Sequence, residues 1–292
     1  MILIELVQRM SEQLESARVS FGHGTTNAFD EAAWLVLWQL GLPLDELDQE
    51  AARPVPTTDV AAVQALIDQR IATRRPAAYL TGEAWLQGVP FFVDERVIVP
   101  RSLIAEPLAD GTLDAWLSNR TRTVLDLCTG NGSLAVLAAM AWPDVQVTAS
   151  DISADALAVA QRNVQRHGLA ERIRLVQGDG LAATPGRFDL ILCNPPYVNA
   201  ASMAALPAEY RAEPALALDG NFAGGKDGMD FIRKLIRLAP AHMTEHALLV
   251  LEVGNERAHF ETAFPRLPAV WLPTSTGDDQ VLLIEAESFS FP

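Results

Sequence analysis

The chain predicts an α/β fold: a mainly parallel sheet with helices on both faces, preceded by a small all-helical domain and joined to it by a β-hairpin linker. Three observations carry that expectation. From Thr123 onward, short β-rich apolar runs alternate with stretches of helical period, the pattern of a sheet built from crossover units. Before about residue 80 only helical periodicity occurs. Between the two lie short runs rich in aromatic and β-branched residues, separated by glycine, as in a hairpin. A chain of 292 residues that is 49% hydrophobic can bury one large and one small core. The expected division is 1–80 (helical), 81–100 (linker) and 101–292 (sheet domain).

In chain order, residues 2–19 repeat Leu3, Leu6, Val7, Met10 and Leu14 on one helical face, until Ser20-Phe-Gly-His-Gly-Thr-Thr26 breaks the period. A second helix, about Ala28 to Leu40, is apolar nearly all round and stops at Gly41 with Pro43 beyond, so it should form the core of the helical domain. Thr57 or Thr58 can cap a third helix carrying Val60, Val63, Leu66, Ile67 and Ile71, which Pro76 ends. The hairpin is expected from Trp85-Leu-Gln87 and Pro90-Phe-Phe-Val93, with Val97-Ile-Val99 leading into Pro100-Arg101. Strands follow at 123–128, 145–150, 172–177, 188–193, 247–253, 269–274 and 280–285, with helices at 132–141, 153–167, 179–183 and 227–242. The last two strands are joined only by Gly277-Asp278-Asp279, which places an antiparallel strand near one edge.

No stretch is long and apolar enough for a membrane span, and the first residues carry Glu5 without a basic leader, so no membrane association and a soluble cytoplasmic protein are expected. The formal charge is −15, with two lysines beside twenty arginines and no basic run. Such a field repels phosphate backbones and favours a basic partner, so no direct nucleic-acid contact is expected. Cys128 and Cys193 are too few for a disulfide framework or a zinc site. His242 and His246 have helical spacing but lack a third ligand, so no metal is expected.

The candidate catalytic residues are Asn194, Pro195, Pro196 and Tyr197. They follow Phe188-Asp-Leu-Ile-Leu-Cys193, which reads as a buried parallel strand. Two prolines force the chain out of the sheet at the carboxyl end of a strand, where open α/β sheets hold their ligands. The Asn194 amide and the Pro195 carbonyl can together hold both hydrogens of a planar –NH2 group, and Tyr197 supplies a flat wall. With no strong base or nucleophile among them, they suit orienting an amide or aminopurine nitrogen toward an electrophile that a cofactor supplies. The plainer reading is a rigid turn.

The candidate cofactor-binding residues are Asp126, Cys128, Thr129, Gly130, Asn131, Gly132, Asp151, Ile152, Asp179, Gly180 and Asn194. Val124-Leu-Asp-Leu-Cys-Thr-Gly-Asn-Gly-Ser133 is a strand running into a glycine turn at a helix start, where the backbone can approach a ligand. Nineteen residues past Gly132 comes Asp151, positioned to accept from ribose hydroxyls. A nicotinamide dinucleotide would also fit. Asp126 discriminates: a carboxylate beside the loop repels a pyrophosphate but suits the ammonium or sulfonium of S-adenosyl-L-methionine. Asp179 in Gly178-Asp-Gly-Leu181 can meet an adenine amino group or merely cap a helix.

Asp126-Leu-Cys-Thr-Gly-Asn-Gly132 and Asn194-Pro-Pro-Tyr197, with Ala78-Tyr-Leu-Thr-Gly82, Val99-Pro-Arg-Ser102 and Gly224-Gly-Lys-Asp-Gly228, resemble the HemK-type protein N5-glutamine methyltransferases. The resemblance covers essentially the whole chain. Val-Pro-Arg-Ser followed by Glu106 is more similar to the branch acting on ribosomal protein L3 than to the release-factor branch. Leu103 stands where that pattern has proline, and no aromatic follows Asp179. The resemblance implies a Rossmann-like class I S-adenosylmethionine-dependent methyltransferase sheet and a helical domain that recognises the substrate. It implies methylation of a glutamine N5 in L3, free or in an assembling large ribosomal subunit. The alternatives are release-factor glutamine methylation, N6-adenine methylation of nucleic acid, and a non-catalytic, cofactor-binding ribosome assembly protein.

Overall fold

Apolar side chains at three- and four-residue spacing bury one face of the helix Leu3–Ser16, with Leu3, Leu6, Val7, Met10 and Leu14 all inaccessible to solvent in the computed structural model, which describes residues 1–290. Phe291 and Pro292, the end of the expected 101–292 domain, lie outside the described residues. The helix Ala28–Gln39 starts at Asn27, whose side chain accepts from the Asp30 amide, an ordinary N-cap. Its Leu35, Val36 and Leu37 fill the core as expected, but Phe29 and Trp38 remain more than a third exposed. The helix Thr57–Thr73 begins one residue after Pro56 and neither threonine caps it. Thr57 and Thr58 lie inside its first turn, because Pro56 already directs the chain into the helix from an extended conformation.

The hairpin pairs β1 (Glu83–Leu86) with β2 (Val89–Phe92) in antiparallel register. Gln87 and Gly88 both have positive φ, the tight turn whose twist matches the strands. The main sheet contains β3 (Thr123–Leu127), β4 (Gln146–Asp151), β5 (Ile173–Gln177), β6 (Phe188–Cys193), β7 (Met243–Glu252), β8 (Val270–Thr274) and β9 (Gly277–Glu285), ordered β5-β4-β3-β6-β7-β9-β8. The first five are parallel, and β9 runs antiparallel to both β7 and β8. The reversed strand therefore sits one in from the edge. The connection between the last two strands is Ser275-Thr276 instead of residues 277–279, since Gly277 already pairs with Thr274. Alternate residues of each strand enter different cores: Val124, Leu190 and Leu248 face one helical layer, while Leu125, Ile191 and Leu249 face the other.

Several expected helices change. The helix assigned to 227–242 begins at Asp230, because Gly228 has φ +78° and closes a preceding loop. Residues 179–183 make only a 3-10 turn, Gly180–Ala183. His242 ends its helix and His246 lies in β7, so they share no helical face. Among the described residues no cluster of three or more metal-ligating side chains occurs, and no helix is long and apolar enough to cross a membrane. Three unexpected short helices, Ala200–Ala205, Ala208–Arg211 and Ala215–Leu218, follow β6. Chain order reverses between β3 and β6, which leaves a crevice at their carboxyl ends.

Candidate active site

The crevice is a cleft of about 460 Å³. Its floor is set by how β3 ends. Past Leu127 the backbone turns through Cys128 (φ +62°), Gly130 (φ +55°) and Gly132 (φ +82°) into the helix Ser133–Ala141. A Cβ on Gly132 would lie 3.2 Å from the Cβ and 3.3 Å from the Cα of Ala160, so this glycine lets the helix Ala154–Arg166 pack close. A Cβ on Gly130 would meet nothing. Gly132 is therefore a packing residue and does not line the cleft, whereas Cys128, Thr129, Gly130 and Asn131 do.

Asp151 and Ile152, at the end of β4, are also on the wall. Asp151 Oδ2 accepts from the Gly130 amide (2.9 Å) and Oδ1 from the Ser153 amide (2.9 Å), which fixes the carboxylate against the glycine loop. Burial raises its pKa against the lowering effect of these backbone donors. Asp179 and Gly180 form the next stretch of wall, and the Asp179 carboxylate already takes the Lys234 ammonium at 2.5 Å. A Cβ on Gly180 would stand 3.7 Å from the Phe231 ring, an aromatic that also lines the cleft. The sequence offered no aromatic after Asp179. The structure brings Phe231 there from the helix Asp230–His242 instead.

Asp126 departs from its expected place in the cleft. It is 1% exposed, and its Oδ2 accepts from the Thr129 hydroxyl and from the Ala135 amide (3.0 Å), so it holds the loop to the start of the following helix. Burial pushes its carboxyl up to about 7, only partly offset by those two donors. Strand β3 ends with this side chain under the loop because alternation turns Leu125 and Leu127 to the opposite face.

Asn194 and Pro196 line the cleft, while Pro195 is buried behind them. Among the described residues no group hydrogen-bonds the Asn194 side chain. Tyr197 is not the expected wall. Its hydroxyl donates to Glu252 Oε1 (3.0 Å), and its ring lies so close to Gly254 that a Cβ there would approach to 2.4 Å. A Cβ on Gly228 would come within 1.9 Å of the Tyr197 carbonyl oxygen. The two prolines turn the chain away from the cleft; Glu252 and Gly254 receive the aromatic, and Gly228 leaves room for the Tyr197 backbone.

Two buried carboxylates that the sequence reading did not single out organise the remaining wall. Glu252 also accepts from the Ser102 hydroxyl (2.6 Å) and the Leu103 amide (2.9 Å), and burial raises its pKa. Glu213 accepts from the Val99 amide (2.8 Å) and takes both terminal nitrogens of Arg101 (2.6 and 2.7 Å). Burial opposes its charge, but Arg101 and His23 more than offset this and hold its pKa down to about 2. Val99-Pro-Arg-Ser102 is thus gripped from both sides, with Arg101 on the cleft wall. A glutamate ending the apolar run Leu248–Leu251 was the available signal for Glu252. Two further polar atoms, Asn131 Nδ2 and Ser150 Oγ, are buried at the wall without a partner among the described residues.

Residues 111–220 match the model of the family described as Methyltransferase small domain. A ribosomal protein uL3 glutamine methyltransferase from Bordetella pertussis is 52% identical over 291 residues, spanning 99% of this chain and 96% of its own. The chain belongs to the uL3 glutamine methyltransferase family. A member from Burkholderia pseudomallei is 51% identical over 292 residues, covering 97% of this chain and 94% of that protein. Beyond the family, a Pyrococcus furiosus methyltransferase structure superposes with a TM-score of 0.50 at 19% identity, over 76% of this chain and 97% of that one, which establishes the shared fold.

For a uL3 glutamine methyltransferase family member, the cleft supplies complementary regions. The glycine loop, Asp151 and the two unpartnered polar atoms can receive a polar cofactor with hydroxyl and charged groups. Across the cleft, the unengaged Asn194 amide offers one acceptor and two donors to a second planar amide.

Proposed function

We propose that this protein transfers a methyl group from S-adenosyl-L-methionine to the side-chain N5 of a glutamine in ribosomal protein uL3. The observation that carries the reading is the unengaged Asn194 amide on the wall of a cleft whose floor is the glycine loop. Near-full-length identity to enzymes of that name supports the choice of acceptor. When bound, the cofactor supplies an electrophilic methyl on a sulfonium.

Asp151 is assigned the ribose hydroxyls. Asn131 Nδ2 and Ser150 Oγ, buried and without partners, suit the acceptor atoms of the same ligand. Asp179 and Phe231 suit the adenine edge and face. Asp126 acts from beneath, holding Thr129 in place. Asn194 receives the glutamine amide and orients its nitrogen. That nitrogen is a weak nucleophile because its lone pair is delocalised. As it loses conjugation its hydrogens become better donors, so the Asn194 oxygen binds the transition state more strongly than the ground state, while Pro195, buried behind the cleft, holds Asn194 at its wall. The proton then leaves to water. Tyr197 braces this turn through Glu252.

The helical domain is read as the acceptor-recognition unit. Acidic residues outnumber arginines over residues 1–80, which suits a basic ribosomal protein. Reaction in the cytoplasm, on free uL3 or on an assembling large subunit, accords with that acceptor. The test is incubation with labelled cofactor and separated ribosomal proteins, release factors, DNA and RNA. Label on a uL3 glutamine is expected. Label confined to release factors or nucleic acid would overturn the acceptor assignment, and cofactor binding without label in any fraction would overturn the enzymatic reading.

A further inference from the structure

The buried charges at the seam between the helical domain and the cleft are used by no step above. Glu209 and Glu213 flank Tyr210 in the segment that returns from Asn194-Pro-Pro-Tyr197 toward the helix Asp230–His242, and both are nearly solvent-free. Glu209 Oε1 accepts from the Ser20 amide (3.1 Å) and Arg74 (3.2 Å), and lies 3.6 Å from Arg70. Arg70 is itself wholly buried on Glu31 (2.8 Å) and the Ser20 carbonyl (3.0 Å). Tyr210 packs against His23 at a tilt of 49°, with ring centroids 4.3 Å apart, while the Arg101 guanidinium sits 5.5 Å from the same ring. His23 Nε2 is 3.4 Å from Glu213 Oε2. Residues 20–23 and 70–74 of the helical domain thus meet Arg101 of the cleft through one short stretch, 209–213.

That stretch leads directly into Pro214–Ala217, which line the cleft. The same segment is laced to the site: the Val198 amide donates to the Leu218 carbonyl (2.9 Å), and Gly220 donates back to Val198 (3.2 Å). Val198 is four residues past Asn194. Buried ion pairs add little net stability over well-packed apolar residues, so what such a cluster fixes best is geometry.

We propose that Glu213 is a positioning residue for methyl transfer: it locks Arg101 and the wall Pro214–Ala217 to the helical domain, which thereby sets the acceptor side of the cleft. The inference rests on the assignment of a protein acceptor to that side. The cofactor side, built on β3 and β4, makes no contact with this cluster in the hydrogen bonds described, so the two sides respond differently when the cluster is broken.

The full-length Glu213→Gln variant tests this. It keeps an acceptor for Val99 and removes the charge facing Arg101 and His23. Calorimetry should give cofactor affinity within about twofold of wild type, while kcat/KM for uL3 falls about tenfold. Amide hydrogen exchange over 208–218 should accelerate with neither ligand present. If Glu213→Gln does not fold, His23→Phe keeps the ring on Tyr210 and removes its nitrogens, and the same split should appear at about threefold. Wild-type acceptor kinetics in a folded variant, or an equal loss of cofactor affinity and acceptor turnover, would overturn the proposal. Should the wild-type protein not methylate uL3, the functional reading fails on its own. The exchange measurement still decides whether Glu213 holds the wall, and unchanged exchange there would refute it.

Discussion

Asp126→Asn separates the charge of the buried carboxyl from its shape. Oδ2 takes both donors and Oδ1 has no partner among the described residues, so the amide oxygen can keep Thr129 and Ala135 while the –NH2 occupies the unused position. The carboxyl moves from an ordinary 3.8 to about 7, chiefly by burial. Between those values the folded protein keeps a proton that the unfolded chain has released, so this group makes stability fall as pH rises from about 4 to about 7. At about 1.36 kcal/mol per pH unit, the ceiling is about 4 kcal/mol. The amide does not titrate. Urea unfolding of both proteins without cofactor, at intervals from pH 4.5 to 8, should show the variant gaining on wild type with increasing pH and levelling off above 7. Asp151 and Glu252 titrate in both proteins and largely cancel in the difference. Parallel stability curves would refute the burial argument for Asp126.

Asn194→Ala should lower kcat by roughly 10²–10³-fold, about 2.7–4 kcal/mol, with little change in cofactor affinity; a wild-type single-turnover rate at saturating cofactor and acceptor would make Asn194 merely a strand end. Asp151→Ala should weaken cofactor binding by roughly 1.5–3 kcal/mol, the range for hydrogen bonds to a charged group, and unchanged calorimetric affinity would remove Asp151 from the ribose site. Gly228→Ala puts a methyl on the Tyr197 carbonyl at φ +78°. It should lower the melting temperature and acceptor turnover together, and a variant indistinguishable from wild type in both would contradict the close packing described.

The parallel core was legible because its strands are short β-rich runs that alternate with stretches of helical period; β3, β4, β5 and β6 fall within a residue or so of their expected limits. The glycine loop and Asn194 were legible too, since chain geometry alone demanded those residue types. What sequence could not supply was direction. Nothing local to Tyr197 reveals that Gly254, more than fifty residues later, leaves room for its ring. Glu209 and Glu213 look like ordinary surface acids, and partners distant in the chain, Arg70, Arg74 and Arg101, make their burial tolerable. The three short helices after β6 escaped notice because each spans four to six residues, too few for a period to register.

The grip on Val99-Pro-Arg-Ser102 bears on how far this enzyme can be treated as interchangeable modules. Glu213 holds the front of that tetrapeptide and Glu252 its rear. The segment that follows the hairpin consequently behaves as a ruler of fixed length and not as a tether, and one extra residue between Val99 and Ser102 would free one carboxylate or the other. A chimaera that grafts the helical domain of a relative onto this sheet inherits the same constraint. His23, Arg101 and Glu213, scattered over 190 positions of sequence, have to travel as one unit, and a crossover drawn near residue 80, where the sequence changes from helical to β-rich runs, would cut straight through it.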